Sequence, residues 1–187
     1  MRPKDEQKQQ RIKEALIRLI LREGIDGTSV SKIAREAGVS PATIYVYYDS
    51  KEAMLQEAFR EYAHESYRYL EGCLRPEMSP AAVIEAIVRG YYSYSIEHAD
   101  VFSFVEQCSR CPTLSAQVCE KDCSCDVFSG IHEFQRRGMM RSCSDWTLSA
   151  VLLSPVRFMA MNRAGMADDS ELHLKELIRM LQTMLLY

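Results

Sequence analysis

Residues 28–55 have the sequence TSVSKIAREAGVSPATIYVYYDSKEAML. The segment predicts two short helices joined by a tight turn. Thr28 is the predicted N-cap of the first helix, and Gly38 is expected to end it, because glycine adopts the left-handed conformation without steric cost. Ser40 and Pro41 then open the second helix, where the missing amide proton of proline costs nothing.

The spacing of small and aliphatic residues in this segment is typical of a helix-turn-helix. Ala34 is small enough to let the two helices approach at their crossing, and Gly38 follows four residues later at the turn. Both helices also carry aliphatic side chains that can be buried together, namely Val30, Ile33, Val39 and Ile44. A helix-turn-helix places its second helix in the major groove of DNA, so the segment predicts a DNA-binding protein.

The side chains left on the outer face of the second helix suit contact with a DNA duplex. Serine and threonine hydroxyls bond phosphates or base edges, alanine and the threonine methyl can contact a thymine methyl, and tyrosine hydroxyls reach phosphates. Thr28 adds a hydroxyl and amide groups at a helix N-terminus, which favour an anion, and Lys51 is a candidate phosphate clamp. The predicted DNA contacts are Thr28, Ser40, Pro41, Ala42, Thr43, Tyr45, Tyr47 and Lys51.

Charge is distributed unevenly along the chain of 187 residues, whose net charge is −3. Residues 1–51 contain ten Lys and Arg against seven Asp and Glu, a net +3. Residues 52–187 contain thirteen against nineteen, a net −6. A basic segment followed by an acidic remainder indicates a small module that faces phosphates, carried by a domain with a different role.

Apolar residues recur at helical spacing in the rest of the chain, and its low content of glycine (8) and proline (6) favours long helices. The pattern predicts an all-α protein of about nine helices. Besides the two motif helices, they are expected at 6–23, 51–74, 80–96, 99–109, 114–137, 145–164 and 169–186. We expect a three-helix DNA-binding domain at 1–50 and a helical-bundle domain at 51–187, joined by the fourth helix.

The sequence near residue 1 is polar and charged, and no apolar run reaches the length of a membrane-spanning helix. We therefore expect a cytoplasmic protein that does not associate with a membrane. In that compartment most of the seven cysteines should be reduced thiols.

The motif segment resembles the DNA-binding domain of the tetracycline-repressor (TetR) family of bacterial regulators. The matching residues are Thr28, Ile33-Ala34-x3-Gly38-Val39-Ser40, Thr43-Ile44-Tyr45-x2-Tyr48 and Lys51-Glu52-x2-Leu55. The resemblance implies DNA contacts at the positions given above. Tyr47 stands where histidine is frequent and Tyr48 where phenylalanine is usual, and both differences concern the target sequence rather than the fold.

The resemblance also implies a helical body that binds a small-molecule effector. The expected function is then a repressor that binds a palindromic operator and is released by the effector; activation stays open. Aromatic residues at helical spacing are more often plain core, but this family holds its ligand inside the bundle. The predicted wall of the ligand site is Tyr62, Tyr91, Tyr94, Phe102, Val105, Phe128, His132 and Phe158.

Two apolar stripes on the last two predicted helices indicate a homodimer. They comprise Leu148, Val151, Leu152, Pro155, Val156, Met159 and Ala160 on one helix, and Leu174, Leu177, Ile178, Leu181, Met184 and Leu185 on the other. In a monomer such a surface would have to fold back inside. A two-fold dimer would also place two recognition helices about one DNA turn apart, as a palindrome requires.

Six of the seven cysteines fall between residues 108 and 143, which leaves an alternative function open. Cys108 and Cys111 have the spacing of a metal or redox pair, and Cys119 and Cys123 would share one helix face. These four thiols could form a site for zinc or copper(I), so the chain could be a metal or thiol sensor. The competing interpretation is that cysteine serves as a small buried apolar residue.

An enzyme is the contrasting class of function, and the sequence argues against it. The four histidines, His64, His98, His132 and His173, are scattered and lie in no catalytic motif. We find neither a phosphate-binding glycine-rich loop nor a dinucleotide-binding pattern, and we expect no cofactor. A helical scaffold that does not bind DNA is a third class, which the salt dependence of DNA affinity would distinguish.

Overall fold

Ten α-helices account for most of the chain in the computed structural model, which describes residues 5–114, 127–165 and 169–187. They are α1 (Glu6–Gly27), α2 (Val30–Ala37), α3 (Pro41–Tyr47), α4 (Lys51–Cys73), α5 (Pro80–Glu97), α6 (Ala99–Ser109), α7 (Ser129–Arg136), α8 (Asp145–Leu152), α9 (Ser154–Met161) and α10 (Ser170–Leu185). Within the described ranges there is no β-strand, only an isolated antiparallel bridge between Met140 and Leu186. The all-α prediction is confirmed.

The chain divides into two compact units. The first, called the head unit here, comprises the described residues of 1–63 and 100–120. The second, the body unit, comprises those of 64–99 and 121–187. The head unit therefore contains α1–α3, the N-terminal half of α4 and nearly all of α6. The domain boundary predicted at residue 50 stays a prediction.

Serine side chains cap the N-termini of both motif helices. The Oγ of Ser29 accepts from the amide of Lys32 at 3.4 Å and so caps α2. The Oγ of Ser40 accepts from the amide of Thr43 at 3.1 Å and caps α3, as predicted. The assignment of Thr28 as the N-cap of α2 was wrong by one residue.

Two glycines with positive φ set the backbone of the head unit. Gly38 adopts the left-handed conformation (φ 67°, ψ 36°) and ends α2, which confirms the prediction. Gly24 has φ 76° and ψ 172°, so α1 bends there and continues for one more turn to Gly27, beyond the end predicted at residue 23.

The apolar core of the head unit is formed by all four N-terminal helices together with α6. Ile33 and Ala34 of α2 and Ile44 of α3 are almost completely buried, as the helix-turn-helix pattern requires. Tyr48 is also buried, at 3% exposure. Burying these residues in one cluster fixes the angle between α2 and α3, and so fixes which face of α3 points outward.

In the body unit α5 is the central helix and packs against α7, α8, α9 and α10. Gly90 of α5 lies close to Cys73 and Leu70 of α4, so α4 and α5 approach closely at this point. Arg89 links α5 to α10, because its guanidinium group donates to both carboxylate oxygens of Glu171 at 3.0 Å.

The helix predicted at 145–164 is divided at Leu153. Pro155 lies in the first turn of α9 and has no amide proton to donate to the carbonyl of Val151, so the helical ladder is interrupted. A short 3₁₀ turn, Arg163–Gly165, follows α9. Half of the helix predicted at 114–137 lies outside the described residues, and α7 falls within its described part. Among the described helices, none is both long and apolar enough to cross a membrane.

Candidate nucleic-acid interface

The recognition helix α3 presents a continuous exposed face. Its anchors, Ile44 and Tyr48, are buried in the head core, whereas Tyr45 is 57% exposed. Sequence reasoning missed Val46, whose side chain is 65% exposed although it is apolar. A helical wheel of α3 would have placed it beside Ala42, which lies one turn earlier and is also exposed. Ser40, Pro41 and Ala42 are also exposed, and Thr43 is half-buried.

The two hydroxyls at the start of α3 bond each other. Ser40 Oγ and Thr43 Oγ1 are 2.9 Å apart, and either oxygen can be the donor. Because Ser40 Oγ also accepts the amide proton of Thr43, both side chains are fixed before any ligand arrives. Their mutual contact uses only one of the two O–H groups, so the other can donate to a phosphate oxygen or a base-edge acceptor, and such preorganised groups do so at little entropic cost.

Thr28 lies inside the head unit rather than on its surface. It is 4% exposed, and its hydroxyl donates to the carbonyl of Gly24 at 2.8 Å. The exposed hydroxyls at the start of α2 belong instead to Ser29 and Ser31. The hydroxyl of Thr28 is bonded to the Gly24 carbonyl at the bend of α1, and Ser29 caps α2 in its place.

Tyr47 is half-buried and connects the end of α3 to the start of α1. Its hydroxyl accepts from the amide of Asp5 at 3.1 Å and donates to the carbonyl of the same residue at 3.3 Å. Asp5 is the N-cap of α1 and accepts from the amide of Lys8 at 3.2 Å. The phosphate contact predicted for Tyr47 is untested, but its hydroxyl has a role within the head unit.

Lys51, the predicted phosphate clamp, also makes contacts within the head unit. Its Nζ donates to the carbonyl oxygens of Ile25 at 3.2 Å and Thr28 at 3.1 Å. Ile25 lies in the last turn of α1 and Thr28 in the connection to α2, so Lys51, the first residue of α4, links the end of α1 to α4.

Ion pairs fix the charged residues on the surface of α1 and α2. Lys32 lies 2.6 Å from a carboxylate oxygen of Glu23, and Arg18 lies 3.1 Å from Glu36. Hydrogen bonds from Lys32 and then from Arg22 lower the pKa of Glu23. These acidic partners neutralise some of the ten Lys and Arg side chains of residues 1–51, so fewer cations are available to phosphates than that count suggests.

Polar contacts attach the N-terminal half of α4 to α1. The ammonium group of Lys13, only 7% exposed, bonds the carboxylate of Glu61. One turn earlier on both helices, Gln9 donates to Glu57 at 3.2 Å. A charge buried to this degree needs a partner, so these contacts specify how α4 packs on α1 within the head unit.

The residues predicted to line a ligand site fall into both units. In the head unit, Tyr62 and Phe102 are buried and Val105 is partly buried; Tyr62 packs edge-on against Phe104, with ring centroids 6.1 Å apart. In the body unit Tyr91, Tyr94 and Phe128 are buried. Arg157 donates to the hydroxyl of Tyr91 at 3.1 Å.

Two further members of the predicted wall differ in their surroundings. His132 is half-buried, and its Nε2 lies 2.6 Å from Asp145 Oδ1. The assignment of Phe158 to an interior wall is wrong, because its side chain is 68% exposed on α9. The inner face of α9 is formed by Val156 and Met159, which leaves Phe158 on the opposite side.

The predicted dimer stripes are largely covered by the chain itself. Leu148, Leu152 and Val156 are completely buried, and most of the predicted stripe on α10 is buried as well. They pack inside the body unit, so they are not free to form a dimer surface. The apolar residues that remain exposed on α8–α10 and the last turn, called the outer face here, are Trp146, Phe158, Met161, Leu172, Met180, Met184 and Tyr187.

The cysteine alternative gains no support from the described residues. Cys108 is completely buried, and burial raises the pKa of its thiol to about 12. A completely buried thiol with a raised pKa is a poor nucleophile. Cys119 and Cys123 lie outside the described residues. Within the described part of the chain, no three His, Cys, Asp or Glu side chains are grouped as a metal site.

The geometry of the head unit defines a class of protein: a helix-turn-helix DNA-binding protein with an exposed recognition helix. Comparison with known sequences agrees. Residues 12–58 match the family model described as bacterial regulatory proteins, tetR family. An HTH-type transcriptional regulator of Haemophilus influenzae is 25% identical over 172 residues, which cover 89% of this chain and 86% of that protein.

Solved structures show that the whole chain has the same fold as these regulators. A TetR family transcription regulator from Marinobacter aquaeolei superimposes with a TM-score of 0.83 at 19% identity, covering 100% of this chain and 99% of that one. FadR from Bacillus subtilis, solved in complex with stearoyl-CoA, gives a TM-score of 0.72 at 17% identity over 92% and 96%. The N-terminal segment thus matches the tetR family of bacterial regulatory proteins, and the chain shares the fold of solved TetR-family transcription regulators. Regulators of this kind are generally not enzymes.

Proposed function

We propose that the protein is a homodimeric repressor that binds a palindromic operator and is released by a small molecule. The observation that carries the proposal is the exposed face of α3, where Tyr45 and Val46 project outward while Ile44 and Tyr48 hold the helix to the core. Exposing a large aromatic and an aliphatic side chain to water on a short helix is unfavourable in free energy, and contact with a DNA groove would remove part of this apolar surface from water.

The proposed DNA contacts come from the first turns of both motif helices and from the exposed face of α3. The hydroxyl pair of Ser40 and Thr43 is placed to bond phosphates or base edges. Pro41, Ala42 and Val46 provide apolar contact with thymine methyl groups, and Tyr45 reaches the backbone. Thr28 and Tyr47 contribute through the structure of the head unit, because their hydroxyls are bonded inside it.

The outer face of α8–α10 is the proposed dimer surface. Trp146 is 74% exposed, Met180 70% and Tyr187 79%, and such a group of apolar residues is unusual on a monomer. A second copy of the chain is the occupant that the function requires, because a single head would bind too weakly to select one site in a genome. The two recognition helices of the dimer would then lie roughly 34–36 Å apart.

The effector is proposed to bind among the aromatic residues of the body and to act on α4, which runs from the head unit into the body unit. A ligand that binds one arrangement of the body more tightly would shift the equilibrium between two distances separating the heads of the dimer. The free energy of this shift can be no larger than the difference in the ligand's binding free energy for the two states. The stearoyl-CoA bound to the FadR neighbour makes long-chain acyl-CoA a rational first ligand to screen.

Because such a regulator works on chromosomal DNA, we place it in the cytoplasm.

Selection from a pool of random duplexes tests the DNA-binding proposal. The purified protein should enrich an inverted repeat whose half-sites are about one helical turn apart, and its affinity should fall steeply with salt. Thr43→Ala should relax the base preference at one position of each half-site, whereas Arg60→Ala, an exposed change on α4, should not. No enriched sequence, together with no binding at low salt, would refute the proposal in favour of a helical scaffold.

A further inference from the structure

Lys51 is the first residue of α4, and its ammonium group lies at the end of α1. Its Nζ is 3.2 Å from the carbonyl oxygen of Ile25 and 3.1 Å from that of Thr28. Ile25 lies in the last turn of α1, after the bend at Gly24, and Thr28 is the C-cap of the helix, so both carbonyls lie at its C-terminal end. Carbonyls at a helix C-terminus carry a negative partial charge, and a lysine ammonium supplies both hydrogen bonds and the compensating charge.

Two neighbouring side chains complete this cap. The hydroxyl of Thr28 donates to Gly24, and the ammonium group of Lys32 donates to the carbonyl of Gly27 at 2.7 Å. Thr28 and Lys32 belong to the turn and to α2 themselves. Lys51 differs because it comes from α4, so its two hydrogen bonds attach the α1–α2 turn to another helix.

The turn that Lys51 holds leads directly into the DNA-facing part of α2. Thr28 is followed by Ser29, the exposed N-cap of α2, and Ser31 is exposed in the first turn of that helix. A displacement of the Thr28 carbonyl therefore moves the start of α2. The side chain of Lys51 is partly buried in this arrangement, with two of its three N–H groups bonded to carbonyls.

We propose that Lys51 is a positioning residue for DNA binding: its ammonium group fixes the α1–α2 turn, and through it the start of α2, and does not contact a phosphate. The proposal rests on the DNA-binding function proposed above.

Salt dependence and hydrogen exchange together test this assignment. Lys51→Met keeps most of the side-chain stem and removes the ammonium group, Lys51→Arg keeps the charge and the donors, and Arg60→Met on α4 controls for the loss of one exposed positive charge. DNA affinity is measured from low to high salt on a duplex that the wild-type protein has selected from a random pool. Amide exchange of residues 25–32 is measured on the free protein.

A positioning residue and a phosphate clamp give different results. For Lys51→Met we expect the affinity to fall by the same factor, about tenfold, at every salt concentration, with exchange of 25–32 about tenfold faster in the free protein. Lys51→Arg should restore much of the protection, and Arg60→Met should change neither quantity. A salt slope reduced by about 0.9 for each head would overturn the proposal, because it counts a lost phosphate contact.

Unchanged exchange at residues 25–32 in Lys51→Met would also overturn it, because the turn would then not depend on the ammonium group. A wild-type protein that binds no duplex would instead refute the DNA-binding function, and the positioning role with it. In that case the exchange measurement still establishes whether Lys51 holds the turn, so the two failures are distinguishable.

Discussion

Replacing Gly90 with alanine should destabilise the body unit, although alanine is the better helix former. A methyl group at this position of α5 would lie 2.9 Å from Cys73 Sγ and 3.2 Å from Leu70 Cδ2, both on α4. Overpacking of this kind costs about 1–3 kcal/mol, and the gain in helix propensity returns about 1 kcal/mol. The expected net loss in the free energy of unfolding is therefore about 1 kcal/mol.

Urea unfolding followed by circular dichroism, at one fixed protein concentration, measures this loss. Gly72→Ala on α4 is the matched control, because a methyl group there would meet no atom within 4 Å, and it should not destabilise the protein. In a Cys73→Ala background the cost of Gly90→Ala should largely disappear, giving a coupling energy of about 1–2 kcal/mol. Strictly additive effects of the two substitutions would refute the argument that Cys73 limits this approach.

Four further predictions concern the head unit and the outer face. Ser29→Ala should lower the free energy of unfolding by about 1 kcal/mol through loss of the α2 cap, and an unchanged denaturation midpoint would contradict the cap assignment. Phe158→Glu should shift the protein toward monomer in sedimentation experiments, since it would bury a charge in the proposed dimer surface; a dimer of unchanged affinity would exclude this face. Replacing thymine with uracil in the selected duplex should weaken the wild-type protein more than Val46→Ser, and equal losses would show that Val46 contacts no thymine methyl. Because burial raises the pKa of Cys108 from 9.0 to about 12, its thiol should resist alkylation at pH 8 while half-buried Cys111 reacts, and rapid labelling of folded Cys108 would contradict its burial. Because the pKa of Cys108 is higher in the folded than in the unfolded protein, keeping this thiol protonated stabilises the fold. That contribution to the free energy of unfolding is complete below pH 9 and is lost as the pH rises toward 12.

The helix-turn-helix was predictable because its rules are local. Gly38 ends α2 in the left-handed conformation, Ser40 caps α3, and Ile44 is buried, all as the sequence indicated. Each of these features depends on backbone geometry or hydrogen bonds within a few residues. The residue types and their spacing in the sequence therefore predict them directly.

The errors share a different cause. Thr28 was one residue from the true cap because Gly24 bends α1 and turns its carbonyl toward the threonine hydroxyl. Phe158 was assigned to the interior because an aromatic residue at helical spacing indicates burial on some face of a helix but not on which one. A bend or break in a helix changes which of the following side chains are buried. Sequence periodicity does not locate such a bend or break to within a residue or two.

The amino-acid sequence by itself determined the class of this protein, since the small residues, glycine turn and serine caps of residues 28–55 specify a helix-turn-helix. Only the tertiary structure showed where the polar side chains of that segment are bonded. Tyr47 meets Asp5 and Lys51 meets Ile25, partners 42 and 26 residues away. It also showed that the apolar stripes of the last helices are covered by the chain's own α5, because periodicity identifies an apolar face but only packing determines what covers it.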